Sequence, residues 1–408
     1  MKIIIINDFG YPNGGASQVA IDSAIKLSEL NYDVTYISAV GPIDKILSTK
    51  SIKSINFDTS ELINNSSKLN AALTGLWSFK NARRLKQVLR EFDPKDTIIH
   101  LHVWVKSLSP SIIKTIGEQN FKVAVTLHDY FTICPNGALY NYPKKIHCTY
   151  RPMGISCILS NCDSRSYLHK IWRIFRQAIQ NQAVKKIGTK INYISVSSYS
   201  ENIIRKFMPN DAKIFRVTNP INISKVKLVL NEVKDNYCFV GRLSPEKGAD
   251  IFAKAARISS VKCIFAGSGS EEKVIISSNH NAQLLGWKHR AEVIKLIQGS
   301  RALVFPSLVH ETQGLAVLEA AALGVPSIVS NSCAASEQIE DGKTGFIFDS
   351  GDHKDLADKL RQLHDYPSLA REMGINAYKK YWSNPSTIEN HCSQLISTYE
   401  KILFTSDE

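Results

Sequence analysis

"RALVFPSLVHETQGLAVLEAAALGVPSIVS", residues 301–330, sets the fold of this chain. An apolar run of strand length, Ala302–Phe305, leads through a loop to Gly314, where an amphipathic stretch of helix length begins, Leu315–Leu323. A second apolar run follows at Ser327–Val329. Strand, helix and strand in that order make a βαβ unit, and such units build parallel sheets. The alternation extends in both directions, with strands expected at Tyr237–Val240, Val261–Ala266 and Gly345–Phe348 and helices at Ile251–Ser259 and Ala291–Gln298.

The first half of the chain has the same grammar. Strands are expected at Lys2–Asn7, Val34–Ser38, Thr97–His102, Val123–Leu127, Ile191–Val196 and Ile214–Val217. Helices are expected at Ala16–Leu30, Trp77–Phe92, Leu108–Gly117 and Arg165–Ile187. The pattern lapses over Asn219–Asp235, which marks a junction. The expected fold class is α/β, with two Rossmann-like doubly wound domains, 1–220 and 221–380, facing a central cleft, and a C-terminal helix in 381–408 packing back toward the first. Ligands of such sheets bind at the carboxyl ends of the strands, so functional residues should stand just after strands.

At 408 residues with 44% hydrophobic content the chain can fill two cores. Its opening, "MKIIIINDFG", is too short an apolar run for a signal-peptide core and suits a buried first strand. No run reaches the roughly 18–20 apolar residues of a membrane span, so a cytoplasmic protein is expected. Charge is uneven: residues 1–220 hold 29 Lys+Arg against 15 Asp+Glu, whereas 221–408 hold 21 against 22. A basic first half attracts nucleic acid, anionic lipid or a phosphorylated acceptor, and the sum alone does not choose among them; a solvated surface kept for solubility is the plainer account.

Three segments carry candidate chemistry. Gly14 and Gly15 in "FGYPNGGASQVA" stand between the first strand and a helix, where glycine lets backbone N–H groups approach a phosphate. Their spacing is not the G-x-G-x-x-G dinucleotide fingerprint. "YCFVGRLSPEKGAD" ends a strand in Gly241–Arg242 and places Lys247 five residues on, so that two cationic heads can reach one diphosphate. In 301–330, Glu311 and Glu319 can accept hydrogen bonds from sugar and ribose hydroxyls, and the amides around Gly314 and Leu315 open a helix and form a second anion site.

"NGGASQVA", "VGRLSPEKG" and "ETQGLAVLEA" together resemble glycosyltransferase family 4, the "glycosyl transferases group 1" type, retaining enzymes of the GT-B fold, over nearly the whole chain. The E-x7-E motif of that family is met by Glu311 and Glu319, although Gln313 stands where an aromatic residue is common. The resemblance implies an acceptor domain followed by a nucleotide-sugar donor domain, with a UDP- or GDP-linked donor. Glu311 would contact the donor sugar, Glu319 the ribose, Arg242 and Lys247 the diphosphate, and Gly15 would lie beneath it. His128 of "VTLHDYF" matches the histidine that faces the transferred sugar, so His128, Arg242, Lys247 and Glu311 are the expected catalytic set. The chain contains no Asp-x-Asp, the usual clamp for a metal at the diphosphate, so no catalytic cofactor is expected and the cations and helix-start amides would stabilise the leaving group. The implied route is front-face attack by an acceptor hydroxyl.

Residues 134–165 form a turn-rich, cysteine-rich insert. Cys134, Cys148, Cys157 and Cys162 could supply four thiolates to a structural zinc, or could be buried free thiols. From Lys144 to Lys190 there are ten Lys+Arg and one acid, Asp163, and the segment after the insert has helical apolar spacing. Lys170, Arg173 and Arg176 are therefore expected to dock the first domain on an anionic membrane, at the inner face of the cell membrane. The acceptor expected there is a polyprenyl-diphosphate-linked glycan of bacterial surface polysaccharide synthesis: O-antigen, capsule or exopolysaccharide. A sugar-nucleotide epimerase of the same shape is the alternative enzyme. Nucleic-acid binding rests on charge alone, without interleaved aromatics or a known module, and nucleic acid is not an expected partner.

Overall fold

The computed structural model describes residues 1–49, 51–62, 67–225, 228 and 234–404. They form two compact units. The first comprises residues 1–143, 149–220 and 388–408; the second comprises 144–148 and 221–387. The expected first domain, 1–220, thus lacks residues 144–148, in which His147 Nε2 lies 2.6 Å from the Leu308 carbonyl of the second unit's own loop. Among the described residues no helix is long and apolar enough to cross a membrane.

The sheet of the first unit contains β1 (Lys2–Phe9), β2 (Asp33–Val40), β3 (Lys53–Asn56), β4 (Thr97–Leu101), β5 (Lys122–Thr126), β6 (Ile191–Ser195) and β7 (Ile214–Arg216). The spatial order is β3-β2-β1-β4-β5-β6-β7, every pairing parallel. β1 is buried from Ile3 to Phe9, because helices cover both faces of a parallel sheet, and so its sequence is a continuous apolar run. The order reverses between β1 and β4, which is the switch point where ligands of such sheets sit. The helix Ile388–Phe404 completes this unit: it packs on the helix Gly15–Glu29 and against β4 and β5. Its Tyr399 hydroxyl lies 2.6 Å from His100 Nδ1 of β4.

In the second unit, β8 (Asn236–Val240), β9 (Lys262–Ala266), β10 (Gln283–Leu284), β11 (Ala302–Phe305), β12 (Ser327–Ser330) and β13 (Gly345–Phe348) pair in parallel in the order β10-β9-β8-β11-β12-β13. The switch point here lies between β8 and β11. The strand–helix–strand unit in residues 301–330 is present as β11, the helix Leu315–Ala322 and β12. Its helix starts at Gly314, held at φ 87° against Ala335, whose Cβ leaves a side chain at 314 only 2.6 Å.

Candidate active site

The carboxyl ends of β8 and β11 bring four expected residues together. After β8 the chain turns through Gly241 at φ 152°, and Arg242 donates to Glu246 at 3.0 Å. Glu246 is buried and also accepts from the Ser244 hydroxyl at 2.8 Å, which fixes the turn before Lys247. Gly248 then passes so close to the next loop that a Cβ would lie 2.1 Å from the Pro306 carbonyl oxygen. That close approach sets Lys247 against Glu311, with which it forms an ion pair. Ser307, two residues past β11, donates to the same Glu311 oxygen at 2.8 Å.

Two effects oppose each other at Glu311. Burial favours the neutral acid, but the Lys247 ammonium, the Ser307 hydroxyl and the Arg242 charge outweigh it and hold the carboxyl below the usual glutamate range. Glu311 is therefore an anion whose hydrogen-bonding capacity is only partly used, beside a cation. Glu319, on the helix, has a different partner: Arg290 approaches it at 2.8 Å. There burial prevails and the carboxyl is raised above its ordinary value, despite the Arg290 charge. The Gly314–Leu315 helix start has no side-chain cap, so its N–H groups are not consumed by a capping side chain.

In the first unit Gly14 is the N-cap of the helix Gly15–Glu29 and takes φ 83° and ψ 174°, a conformation that favours glycine, again with no side-chain cap. His128 follows β5, and its Nε2 lies 3.0 Å from His102 Nδ1. Burial, with a smaller contribution from His391, pushes the His128 pKa down to about 3, so the ring is neutral at physiological pH. His102 is buried and also shifted down, by burial and by the neighbouring histidines; its Nε2 has no hydrogen-bond partner among the described residues. Beside it, Asp8 at the end of β1 accepts backbone N–H groups of Lys106, Ser107 and Leu108 at 2.7, 3.0 and 2.8 Å.

Glu246, Arg290, Ser307, Asp8 and His102 were not singled out from sequence. Ser307 and His102 stand just past strands, the signal that served for Glu311, whereas nothing local pairs Arg290 with Glu319, 29 residues away.

Two expectations need correction. Among the described residues no group of three or more His, Cys, Asp or Glu side chains is placed to hold a metal ion, and the four insert cysteines are not gathered as a zinc site. Cys148 belongs to the second unit, Cys134 donates to Asn136 Oδ1 at 3.1 Å, and the space beside Cys157 and Cys162 is taken by the Lys170 ammonium, 3.6 and 3.1 Å from their sulfurs. The second correction concerns the basic helix, Tyr167–Ile187. Lys170 and Arg176 are buried, and Arg173 is turned to Asp163 at 3.3 Å and to the Phe131 ring. These three cations therefore serve the interior of the first unit.

Comparison with known proteins bears on both units. Residues 221–380 match the family model "Glycosyl transferases group 1". The capsular polysaccharide biosynthesis glycosyltransferase CapM of Staphylococcus aureus is 28% identical over 234 residues, 52% of this chain and 61% of that relative. The chain thus spans about three fifths of that relative's length. The crystal structure of a glycosyltransferase from Rickettsia africae ESF-5 covers 99% of both chains at a TM-score of 0.69 and 17% identity. Anabaena HepE, solved in complex with UDP-glucose, covers 98% of this chain and 100% of its own at a TM-score of 0.68 and 17% identity. These structures cover both parallel-sheet Rossmann-like units of the chain, which has the GT-B fold, and its residues 221–380 are similar to glycosyl transferases group 1.

Proposed function

We propose that the protein transfers a sugar, with retention and without a metal, from a UDP- or GDP-linked donor to a hydroxyl of a glycan acceptor in bacterial surface polysaccharide synthesis. The observation that carries this reading is the Lys247–Glu311–Ser307 cluster at the switch point of the second sheet, beside the uncapped helix start at Gly314 and Leu315. An anionic carboxylate suits sugar hydroxyls, and a cation with oriented amides suits a diphosphate. The names of relatives support the substrate class: CapM acts in capsule synthesis and HepE was solved with UDP-glucose.

In this reading Lys247, Arg242 and the Gly314–Leu315 amides take the charge that develops on the leaving diphosphate. The acceptor oxygen forms its bond to the anomeric carbon as the bond from that carbon to phosphate oxygen breaks, and the acceptor proton passes to the departing phosphate oxygen. His128, neutral, orients the sugar and favours positive charge at the anomeric centre, and Glu319 takes the ribose. A polyprenyl-diphosphate-linked acceptor suits the basic first unit and a site of action at the inner face of the cell membrane.

Glu311→Ala and Lys247→Ala are each expected to reduce transfer at least a hundredfold while the protein remains folded, since each removes a group that stabilises the transition state at about 3 kcal/mol or more. The check is turnover with a panel of nucleotide sugars, with and without excess EDTA, analysing products for glycoside and for epimerised donor. Undiminished turnover by either variant would overturn the site assignment, epimerised donor without glycoside would overturn transfer, and loss of activity in EDTA would overturn metal independence.

A further inference from the structure

The helix Tyr167–Ile187 turns cations inward, and the counterpart of that burial is an apolar face turned outward. Leu168 is 78% exposed and Phe175 is 61% exposed; seven residues apart, they lie on one stripe of the helix. Trp172, on the same stripe, donates its indole N–H to the Ala72 carbonyl at 2.9 Å and packs against Gly75, which joins this helix to the helix Lys68–Leu76. On that second helix Leu69 and Leu73, one turn apart, are 73% and 58% exposed. At the other end the Tyr167 hydroxyl reaches the Ile158 carbonyl at 3.4 Å and so ties in the short helix Ile155–Leu159, where Ile155 and Leu159 are 78% and 70% exposed. Six large apolar side chains on three adjoining helices are thus uncovered, and isolated exposed residues would not cluster in this way.

The chain segments that carry them are basic. Residues 62–90 contain six Lys+Arg and no acid, and the single acid from 144 to 190, Asp163, is buried against Arg173. Lys68, at the start of the helix Lys68–Leu76, remains exposed, as do Arg151 and Arg165, which precede the helices Ile155–Leu159 and Tyr167–Ile187 in the chain. Two copies of this face would bring like charges together, whereas an anionic bilayer offers hydrocarbon to the leucines and phosphate to the cations.

We infer that this face, Leu69–Leu73, Ile155–Leu159 and Leu168–Phe175, is a membrane-docking surface that inserts its apolar side chains at the headgroup–acyl boundary of an anionic bilayer. The inference is independent of the transfer chemistry and replaces a docking through Lys170, Arg173 and Arg176. Burial of apolar surface holds the protein there, and the peripheral cations select the lipid. Salt therefore weakens the attachment without abolishing it.

The test is co-sedimentation of the full chain with phosphatidylcholine vesicles, with and without phosphatidylglycerol. The wild type should bind the mixed vesicles, retain part of that binding at high salt, and lose at least about tenfold in affinity in the double variant L168S/F175S, at unchanged melting temperature. A second double variant, L69S/I155S, on two other helices, guards against local misfolding and should lose binding equally. The inference is overturned if vesicles bind neither protein, if both variants bind like the wild type, or if sedimentation analysis shows a dimer in lipid-free buffer that the same substitutions dissociate, since a second copy would then cover the face.

Discussion

Asp129, the residue after His128, is half-buried and accepts the Phe131 backbone N–H at 2.9 Å. Burial raises its pKa to about 6, against the pull of that N–H, Lys106 and Arg176. A carboxyl whose pKa in the folded state exceeds its ordinary 3.8 binds a proton more tightly when folded, so it favours folding in acid, and that contribution is lost as pH rises through about 6. The shift corresponds to about 3 kcal/mol at neutral pH. Asp129→Asn keeps the acceptor for Phe131 and removes the charge, so its melting temperature should exceed that of the wild type at pH 7.5 and equal it at pH 4. A variant no more stable than the wild type at pH 7.5 would show that nearby cations already compensate the charge. The contrast with Glu311 shows what sequence conveys at this scale. Glu311 and Lys247 could be singled out because each follows a strand, where the fold places ligands, whereas His128 came only from the family resemblance. Lys170 and Arg176 were misjudged because helical spacing says which side chains share a stripe, and on this helix the stripe that turns inward carries the charges.

At the scale of elements, the strands were legible wherever both faces are covered, as in β1 with its apolar run, and at the edges β7 and β13, whereas the opposite edge of each sheet was missed. β3, Lys53–Asn56, is half exposed and polar, and β10, Gln283–Leu284, has two residues, so neither produces an apolar run. The two glycine turns that place candidate ligands were legible as turns but not in their tolerance. Gly14 at φ 83° has nothing within 4 Å of where a Cβ would stand, so Gly14→Ala should cost only backbone strain, about 1–3 kcal/mol. Gly248 at φ 68° incurs comparable strain and also the contact with the Pro306 carbonyl oxygen, which must move and would carry Ser307 with it. Gly248→Ala should therefore lose at least about 2 kcal/mol more than Gly14→Ala in denaturant unfolding. It should also lose transfer activity at temperatures where it is still folded. Equal losses in the two variants would mean that the loop after β11 yields freely, and that Lys247 and Glu311 are not held together by this contact.

For the whole molecule the decisive element is the last one, because the chain leaves the first unit at Pro220 and re-enters it at Ile388. The helix Ile388–Phe404 buries Leu395, Tyr399, Ile402 and Leu403 there, and His391 joins Ser23 at 3.0 Å and the Thr218 carbonyl at 2.8 Å. Each of the four large apolar side chains contributes about 1.5–3 kcal/mol on burial, and together they are comparable with the entire 5–15 kcal/mol by which an ordinary domain is stable. The second unit has its own core, in which Phe252, Phe265, Leu356 and Leu360 are buried, and none of its residues comes from 388–408. Truncation before Ile388 should therefore unfold the first unit selectively. Brief proteolysis of the truncated chain should digest residues 1–143 and leave a resistant fragment spanning about 221–387, whose melting temperature still rises with UDP or GDP because Lys247, Glu311 and Glu319 remain in place. Tyr399→Phe, which removes only the hydroxyl at His100 Nδ1, should lower stability by about 1–3 kcal/mol and leave both units protected. Equal resistance of the two units after truncation would show that the first sheet stands without its terminal helix; digestion of both would show that the second unit depends on the first for its own stability.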